Sequence, residues 1–178
     1  MEIDGLGYVY FARSPVAHAN ILSIDTSEAK EVTGVVGVWT ADDLDLSPYL
    51  AFPLFPPHFA RPPLAKGKVR LVGDIIAVVV ADSFAAAADA ASMIWMDYEP
   101  LPAVTDPEKA LEEGAPVLFD ENGSNLCFET GIGLEDGDPN EEADHIAKVR
   151  IVSQRLAGVP LESNGIIAIP EEGGSLTT

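Results

Sequence analysis

"VRLVGDIIAVVVADSFAAAADAASMIWMDYEPLPAV", residues 69–104, carries the strongest structural signal in the chain. Ile75–Val80 is almost all β-branched, which marks a central buried strand. Gly73 breaks the run just before it, where a turn or bulge is expected. Ser83 can cap "FAAAADAASMI" (84–94), a helix with a small-residue face for close packing. "WMDYEPLPAV" (95–104) returns as a strand, and its two prolines put it at an edge or an end. Strand, helix and strand in this order predict a crossover unit, so part of the sheet is expected to be parallel.

Upstream, "GYVYFARS" (7–14) has the aromatic and β-branched residues of a strand, and "ANILSID" (19–25) alternates likewise. Asp25 or Thr26 can cap a short helix over 27–32, with Gly34 as its stop. "GVVGVWT" (34–40) is a further strand, apolar enough to be expected buried on both faces. Thr40 then caps a turn of helix over 41–44. Residues 45–68, which include "SPYLAFPLFPPHFARPPLAKGK", are rich in proline and aromatics and have no period. An extended surface loop is expected there, and a loop of that length is usually functional or packed on a neighbour. Phe52, Phe55 and Phe59 are expected to be exposed, which makes the loop a candidate docking segment.

Downstream, Pro107 can occupy the first position of a short helix over 107–114, ended by Gly114. Residues 117–144 are turn-rich and acidic, and a domain boundary is placed at about 125–140. "HIAKVRIVSQRLAG" (145–158) alternates as a long strand. "NGIIAIPEEGGSLTT" (164–178) reads as a strand, a Gly-Gly turn and the start of another strand, so the chain looks truncated within a second domain.

The bulk properties narrow the function. With 178 residues, 47% hydrophobic and 22% charged, the chain can bury a core of its own. No apolar run approaches about 18 residues, so no membrane span is expected. The N-terminus lacks the pattern of a secretory signal, and a cytoplasmic location fits. The lone Cys127 excludes a disulfide framework and any all-cysteine zinc or iron–sulfur site within the chain. Net charge is −19, from 29 Asp+Glu against 10 Lys+Arg, which disfavours nucleic acid and anionic membrane surfaces as partners. The acid excess reads as a solvated surface, or as adaptation to high salt.

No acid, base, nucleophile or metal constellation emerges. Arg13 and His18 have no carboxylate or nucleophile nearby in sequence, so His18 reads as a capping or packing residue. His58 lies among prolines and aromatics, as a loop residue would. His145 follows Asp144 at a strand start, as a locally hydrogen-bonded pair. The spacing of the three histidines makes no metal site. Cys127 has neither a CxxC partner nor an adjacent base. "GIGLEDG" (131–137) lacks the basic residue and following helix of a phosphate loop. "NGS" (122–124) reads as an Asn-Gly turn, and the acids at 135–144 as a solvated linker. Catalytic, cofactor-binding and metal-ligating residues are therefore all expected to be absent.

Five segments in fixed order carry a resemblance. They are "FARSPVAHANILSIDTSEA" (11–29), "GVVGVWTADDL" (34–44), "KVRLVGDIIAVVVADS" (68–83), "AAADAASMIWMDYEPLPAV" (86–104) and "DPEKALEEGAPVLFDE" (106–121). Together they resemble the N-terminal α/β hammerhead domain of the molybdenum hydroxylases, the family of aerobic carbon monoxide dehydrogenase, aldehyde oxidase and xanthine dehydrogenase. The likeness runs from about residue 3 to 122. "EEADHIAKVRIVSQRLAGVPLESNGIIAIP" (141–170) resembles the opening strands of the molybdenum-binding region, and its "PLE" (160–162) is more similar to the carbon monoxide dehydrogenase type.

The resemblance implies an α/β fold with a mixed sheet and two or three helices. It implies a hammerhead domain over 1–125, an acidic linker over 126–144 and an incomplete start of a molybdopterin-binding domain over 145–178. The expected function is that of a fragment of the large subunit, a scaffold and contact domain. Its partners would be the remainder of that subunit, an iron–sulfur subunit and a flavin subunit. The molybdopterin-type cofactor would lie in the full subunit, and iron–sulfur clusters and FAD in the parent complex. The family's glutamine near the metal has no counterpart, since Leu156 stands at that position. Arg13 and His18 match a recurrent "RS-P-x-AHA" element. They are expected to form a structural corner, with Pro15 fixing chain direction and both side chains bonding carbonyls or carboxylates of the domain. The alternative is a stand-alone binding or assembly module that keeps the fold without the catalysis.

Overall fold

The computed structural model describes residues 3–130, 143–154, 156–162 and 165–178. The chain divides into two units, Met1–Gly131 and Ile132–Thr178.

The first unit holds two three-stranded sheets. One has β1 (Tyr8–Arg13), β5 (Ile75–Ala81) and β3 (Val35–Thr40), with β5 in the centre. The other has β4 (Lys68–Val69), β2 (Ala19–Asp25) and β6 (Trp95–Pro100), with β2 in the centre. Every pairing is antiparallel. The expected parallel crossover is therefore not formed. A helix does join β5 to β6, but the two strands enter different sheets, and β6 pairs with β2. The reason lies in the apolar faces. Met96 and Tyr98 of β6 meet Ile21 and Ile24 of β2 around a core that also takes in Ala12, Val69 and Ile76. Strand order along the chain fixes that a helix intervenes, not which sheet the next strand joins.

The central position of the Ile75–Val80 run is as its sequence suggests, with Ile76, Ala77, Val79 and Ala81 buried. The apolar β3 is different. It is an edge strand, with Val38 buried and Val36 71% exposed, so it is covered on one face only. Apolar content alone did not separate a central strand from an edge. Gly37 on this strand leaves room for the Trp39 ring, which a Cβ there would overlap.

Helix α2 (Phe84–Ser92) begins at Ser83, whose hydroxyl accepts from Ala86 N at 3.3 Å. Its Ala87 and Ala90 are fully buried and let it lie close on β1 and β5. Ala91 and Ile94 touch both core clusters and join the two sheets. Helix α1 (Ser27–Lys30) is one turn long. Asp25 closes its entrance by accepting from Ser27 N and Oγ at 2.9 and 2.6 Å. The expected helices over 41–44 and 107–114 are tight turns. In the first, Asp43 accepts from Thr40 N and Oγ1. In the second, Asp106 accepts from Glu108 N and Lys109 N ahead of a single 3-10 turn, Lys109–Leu111.

The 45–68 segment has more structure than its composition suggests. Tyr49 and Arg61 exchange backbone hydrogen bonds, and Pro57–Phe59 forms a 3-10 turn. Leu64 and Ala65 are buried. Phe59, expected to be exposed, is buried against Phe119 with ring centroids 4.8 Å apart. The proline-set turn aims its ring inward, onto the 3-10 turn at Asp120–Asn122 that follows Phe119. Phe52 is exposed and Phe55 half-buried, stacked edge to face on each other at 5.5 Å.

In the second unit the long strand expected over 145–158 is absent among the described residues. Ile146, Val149, Ile151, Val152 and Leu156 are exposed there. An alternating segment needs a partner strand to make a ladder, and none pairs with it among the described residues. A small antiparallel hairpin does form, β7 (Ile169–Pro170) with β8 (Leu176–Thr177). Gly173 and Gly174 in its loop have φ of +94° and +84°, which accounts for the glycine pair. The "GIGLEDG" segment and most of the acidic run 135–144 lie outside the described residues.

Candidate functional site

The Arg13–His18 corner forms where β1 ends. The β1–β5 register shifts between Ala12 and Arg13, and the chain then turns at Ser14-Pro15. Arg13 Nη1 donates to Gly73 O at 2.9 Å. Backbone bonds run both ways beside it, from Ser14 N to Asp74 O at 2.8 Å and from Gly73 N to Ser14 O at 2.9 Å. The facing turn, Arg70–Asp74, needs Gly73 at φ +91°. Gly73 thus marks both the turn and the carbonyl that Arg13 holds.

His18 is buried at 5% exposure. Its Nδ1 lies 2.8 Å from Pro102 O, which can only accept, so Nδ1 carries the proton. Its backbone carbonyl accepts from Leu101 N at 2.9 Å. One residue therefore ties the start of β2 to the chain leaving β6. His18 Nε2 is buried without a partner among the described residues.

Sequence reasoning did not single out Asp74, which organises the corner. Its buried carboxylate accepts from Arg61 Nη2, from Arg70 N at 2.7 Å and from Leu71 N at 3.2 Å. Three donors from one turn and one loop engage both of its oxygens. The signal available in sequence was the Gly73-Asp74 pair, a turn dipeptide whose acid can bond backbone amides nearby. Arg70 Nε donates to Leu118 O at 2.6 Å, and its guanidinium lies 4.8 Å from the Phe119 ring centroid. Lys68 Nζ meets Asp120 at 2.5 Å, and that hydrogen bond holds the Asp120 carboxyl below its ordinary range. Asn125, also missed, accepts from Leu118 N and donates to Ala110 O and Pro116 O, fastening the segment before it.

The other sequence candidates are not brought together. His58 is exposed beside the Phe59 ring, and His145 is exposed in the second unit. Cys127 is a half-buried free thiol. Asn122-Gly123 forms a turn with Gly123 at φ +66°. Among the described residues no three His, Cys, Asp or Glu side chains gather as metal ligands. No described helix is long and apolar enough to cross a membrane. At the corner, the Arg13 and His18 side chains each meet a backbone carbonyl, of Gly73 and Pro102.

Comparison with known proteins agrees with this architecture. Residues 1–102 match the family described as aldehyde oxidase and xanthine dehydrogenase, a/b hammerhead domain. The chain is 35% identical to the nicotine 6-hydroxylase large subunit of Paenarthrobacter nicotinovorans, over 94% of this chain and 21% of that protein. It is 40% identical to the carbon monoxide dehydrogenase large chain of Afipia carboxidovorans, over 94% of this chain and 22% of that one. In solved structures it superimposes on the Cu,Mo-CO dehydrogenase in its carbon monoxide-reduced state. The TM-score there is 0.61 at 38% identity, over 74% of this chain and 16% of that one. The chain spans about a fifth of the length of the curated relatives it matches. A hammerhead built of two antiparallel sheets and few helices, matched by sequence and by structure alike, places the chain in the aldehyde oxidase and xanthine dehydrogenase hammerhead family, as a fragment resembling the large subunits of molybdenum hydroxylases.

Proposed function

We propose that the chain serves as the hammerhead scaffold of a molybdenum hydroxylase large subunit, a cytoplasmic oxidoreductase of the carbon monoxide dehydrogenase and xanthine dehydrogenase type. The likeness to the carbon monoxide dehydrogenase large chain, 40% identical over 94% of this chain, carries the reading. Residues 3–130 supply a folded frame whose chemistry is hydrogen bonding and packing rather than catalysis. The molybdopterin cofactor, when bound to the full subunit, supplies the redox chemistry. No step of that chemistry is assigned to the described residues.

In this reading the hammerhead meets the remainder of the large subunit and the iron–sulfur and flavin subunits. The docking segment is the outer part of the 45–68 loop. Tyr49, Phe52 and Leu54 are exposed there, while Phe59 anchors the loop from within. The alternating residues 145–154 support the same view, because Ile146, Val149, Ile151 and Val152 are exposed apolar residues that a further strand would cover. The test is the native mass and metal content of the species that contains this chain, purified from its own organism. A large assembly with molybdenum, iron and flavin is expected. A metal-free particle near 18.8 kDa would refute the role and favour a detached binding module.

A further inference from the structure

We infer that the cleft between the end of β1 and the Arg70–Asp74 turn binds a small oxyanion of the phosphate or carboxylate class. Arg13, Arg61, Lys68 and Arg70 line it, with Tyr49 and the arginine-paired Asp74 also at its wall, around a volume of about 230 Å³. The chain has only 10 Lys+Arg against 29 Asp+Glu, so four of its ten cations converge on one small cavity. Mutual repulsion among three half-buried cations and the exposed Arg13 beside them disfavours such a cluster unless anions answer it. Among the described residues, Asp74 bonds to Arg61 and Asp120 to Lys68. Asp74 is further engaged by the amides of Arg70 and Leu71.

The arginines are held in place with donors to spare. Arg13 is fixed through Nη1 to Gly73 O, Arg61 through Nη2 to Asp74, and Arg70 through Nε to Leu118 O. Each bond engages one nitrogen of a guanidinium that carries five N–H groups. Anchored guanidinium forks are preorganised for bidentate contacts with oxyanions. The cleft's volume suits phosphate or a small polycarboxylate. The acidic field of the rest of the chain opposes a long polyanion such as nucleic acid.

Isotope-labelled full chain, titrated with sodium phosphate and separately with citrate against sodium chloride at matched ionic strength, tests this by amide NMR shifts. Saturable shifts centred on Arg13 and residues 70–74 are expected. Arg13→Gln and Arg70→Gln should each weaken binding about tenfold, the loss of one charge-assisted contact. Lys66→Gln, which removes a cation paired with Asp42, should change affinity less than about twofold. Arg13 sits on an exposed strand end, so its variant keeps the inference testable if Arg70→Gln fails to fold. Tighter binding of phosphate identifies a phosphate-class ligand, and tighter binding of citrate a carboxylate. No saturable shift with either anion, or equal weakening by Lys66→Gln, overturns the site.

Discussion

Asp74 shows how much one side chain can hold when it is buried and fully bonded. Its carboxylate closes the 70–74 turn through two amides and fixes Arg61, so the 45–68 loop and the β1 corner meet at one residue. Asp74→Ala would leave two amides and a half-buried guanidinium without their acceptor, and should cost about 2–3 kcal/mol of unfolding free energy. Asp42→Ala removes an ion pair whose partners are 85% and 66% exposed, and should cost less than about 0.5 kcal/mol. Urea denaturation of the two variants decides, and equal costs would refute the organising role of Asp74. Three exposed acids act in a different way. The Ser27 hydroxyl and amide hold the Asp25 carboxyl low, the Thr40 amide and hydroxyl do the same for Asp43, and the Lys68 ammonium does so for Asp120. Because their folded values lie below the unfolded value of about 3.9, the unfolded chain binds more protons in between. Their contribution is complete above about pH 4 and is lost as pH falls through the lowered folded values. Protonating the other surface acids relieves repulsion over the same window, so the linkage is read as a difference: between pH 6 and pH 2 the parent should lose more unfolding free energy, or gain less, than the triple variant Asp25→Asn, Asp43→Asn, Asp120→Asn, and identical pH profiles would contradict it.

At the scale of elements, what was legible in sequence was local. The Ile75–Val80 strand, the Ser83-capped alanine helix, the Asn122-Gly123 turn and the Gly173-Gly174 loop rest on propensities and backbone freedom within a few residues, and each stands where the pattern puts it. Partner choice was not legible. Whether β6 joins β5 or β2, and whether β3 lies inside a sheet or at its edge, depends on faces brought together from distant positions. The same limit applied to the proline-rich loop. Its composition suggested a surface segment, yet one of its three phenylalanines is buried on Phe119, a residue 60 positions away. Phe59→Ser should therefore destabilise the first unit by about 2–4 kcal/mol, as a truncated aromatic in a packed site does. Phe52→Ser, at an exposed position, should stay within about 0.5 kcal/mol. Thermal melts of the two variants separate the anchor from the outer face, and a destabilised Phe52→Ser would show that the outer face is packed as well. The corner was legible in the same partial way. Arg13 and His18 stood out as residues, but their partners Gly73 and Pro102 lie 60 and 84 positions away.

For the whole molecule the governing quantity is charge. A net charge of −19 on 178 residues sets acid against acid across the surface, and compaction on folding brings those charges closer together. Among the described residues, contacts that hold acids include hydrogen bonds from hydroxyls and amides to Asp25, Asp43, Asp74 and Asp106, and the ion pairs of Arg61, Lys66 and Lys68. Exposed repulsion between charges farther apart than a Debye length is screened by salt, and that length falls from about 30 Å at 0.01 M to about 3 Å at 1 M. The short hydrogen bonds that hold the acids are screened far less. The two effects therefore separate: salt removes the repulsion and keeps the bonds. The melting temperature of the chain should rise as sodium chloride goes from about 0.01 M to about 1 M, most steeply over the first tenth of that range where the screening length contracts fastest. Sodium chloride is the right salt, since phosphate or citrate would also bind the cationic cleft. A rise that continues steadily beyond 1 M would favour adaptation to high salt, because ordinary screening is then nearly exhausted. A rise that levels off would favour a merely solvated acidic surface, and a flat profile throughout would show that repulsion among the acids does not limit the stability of this fold.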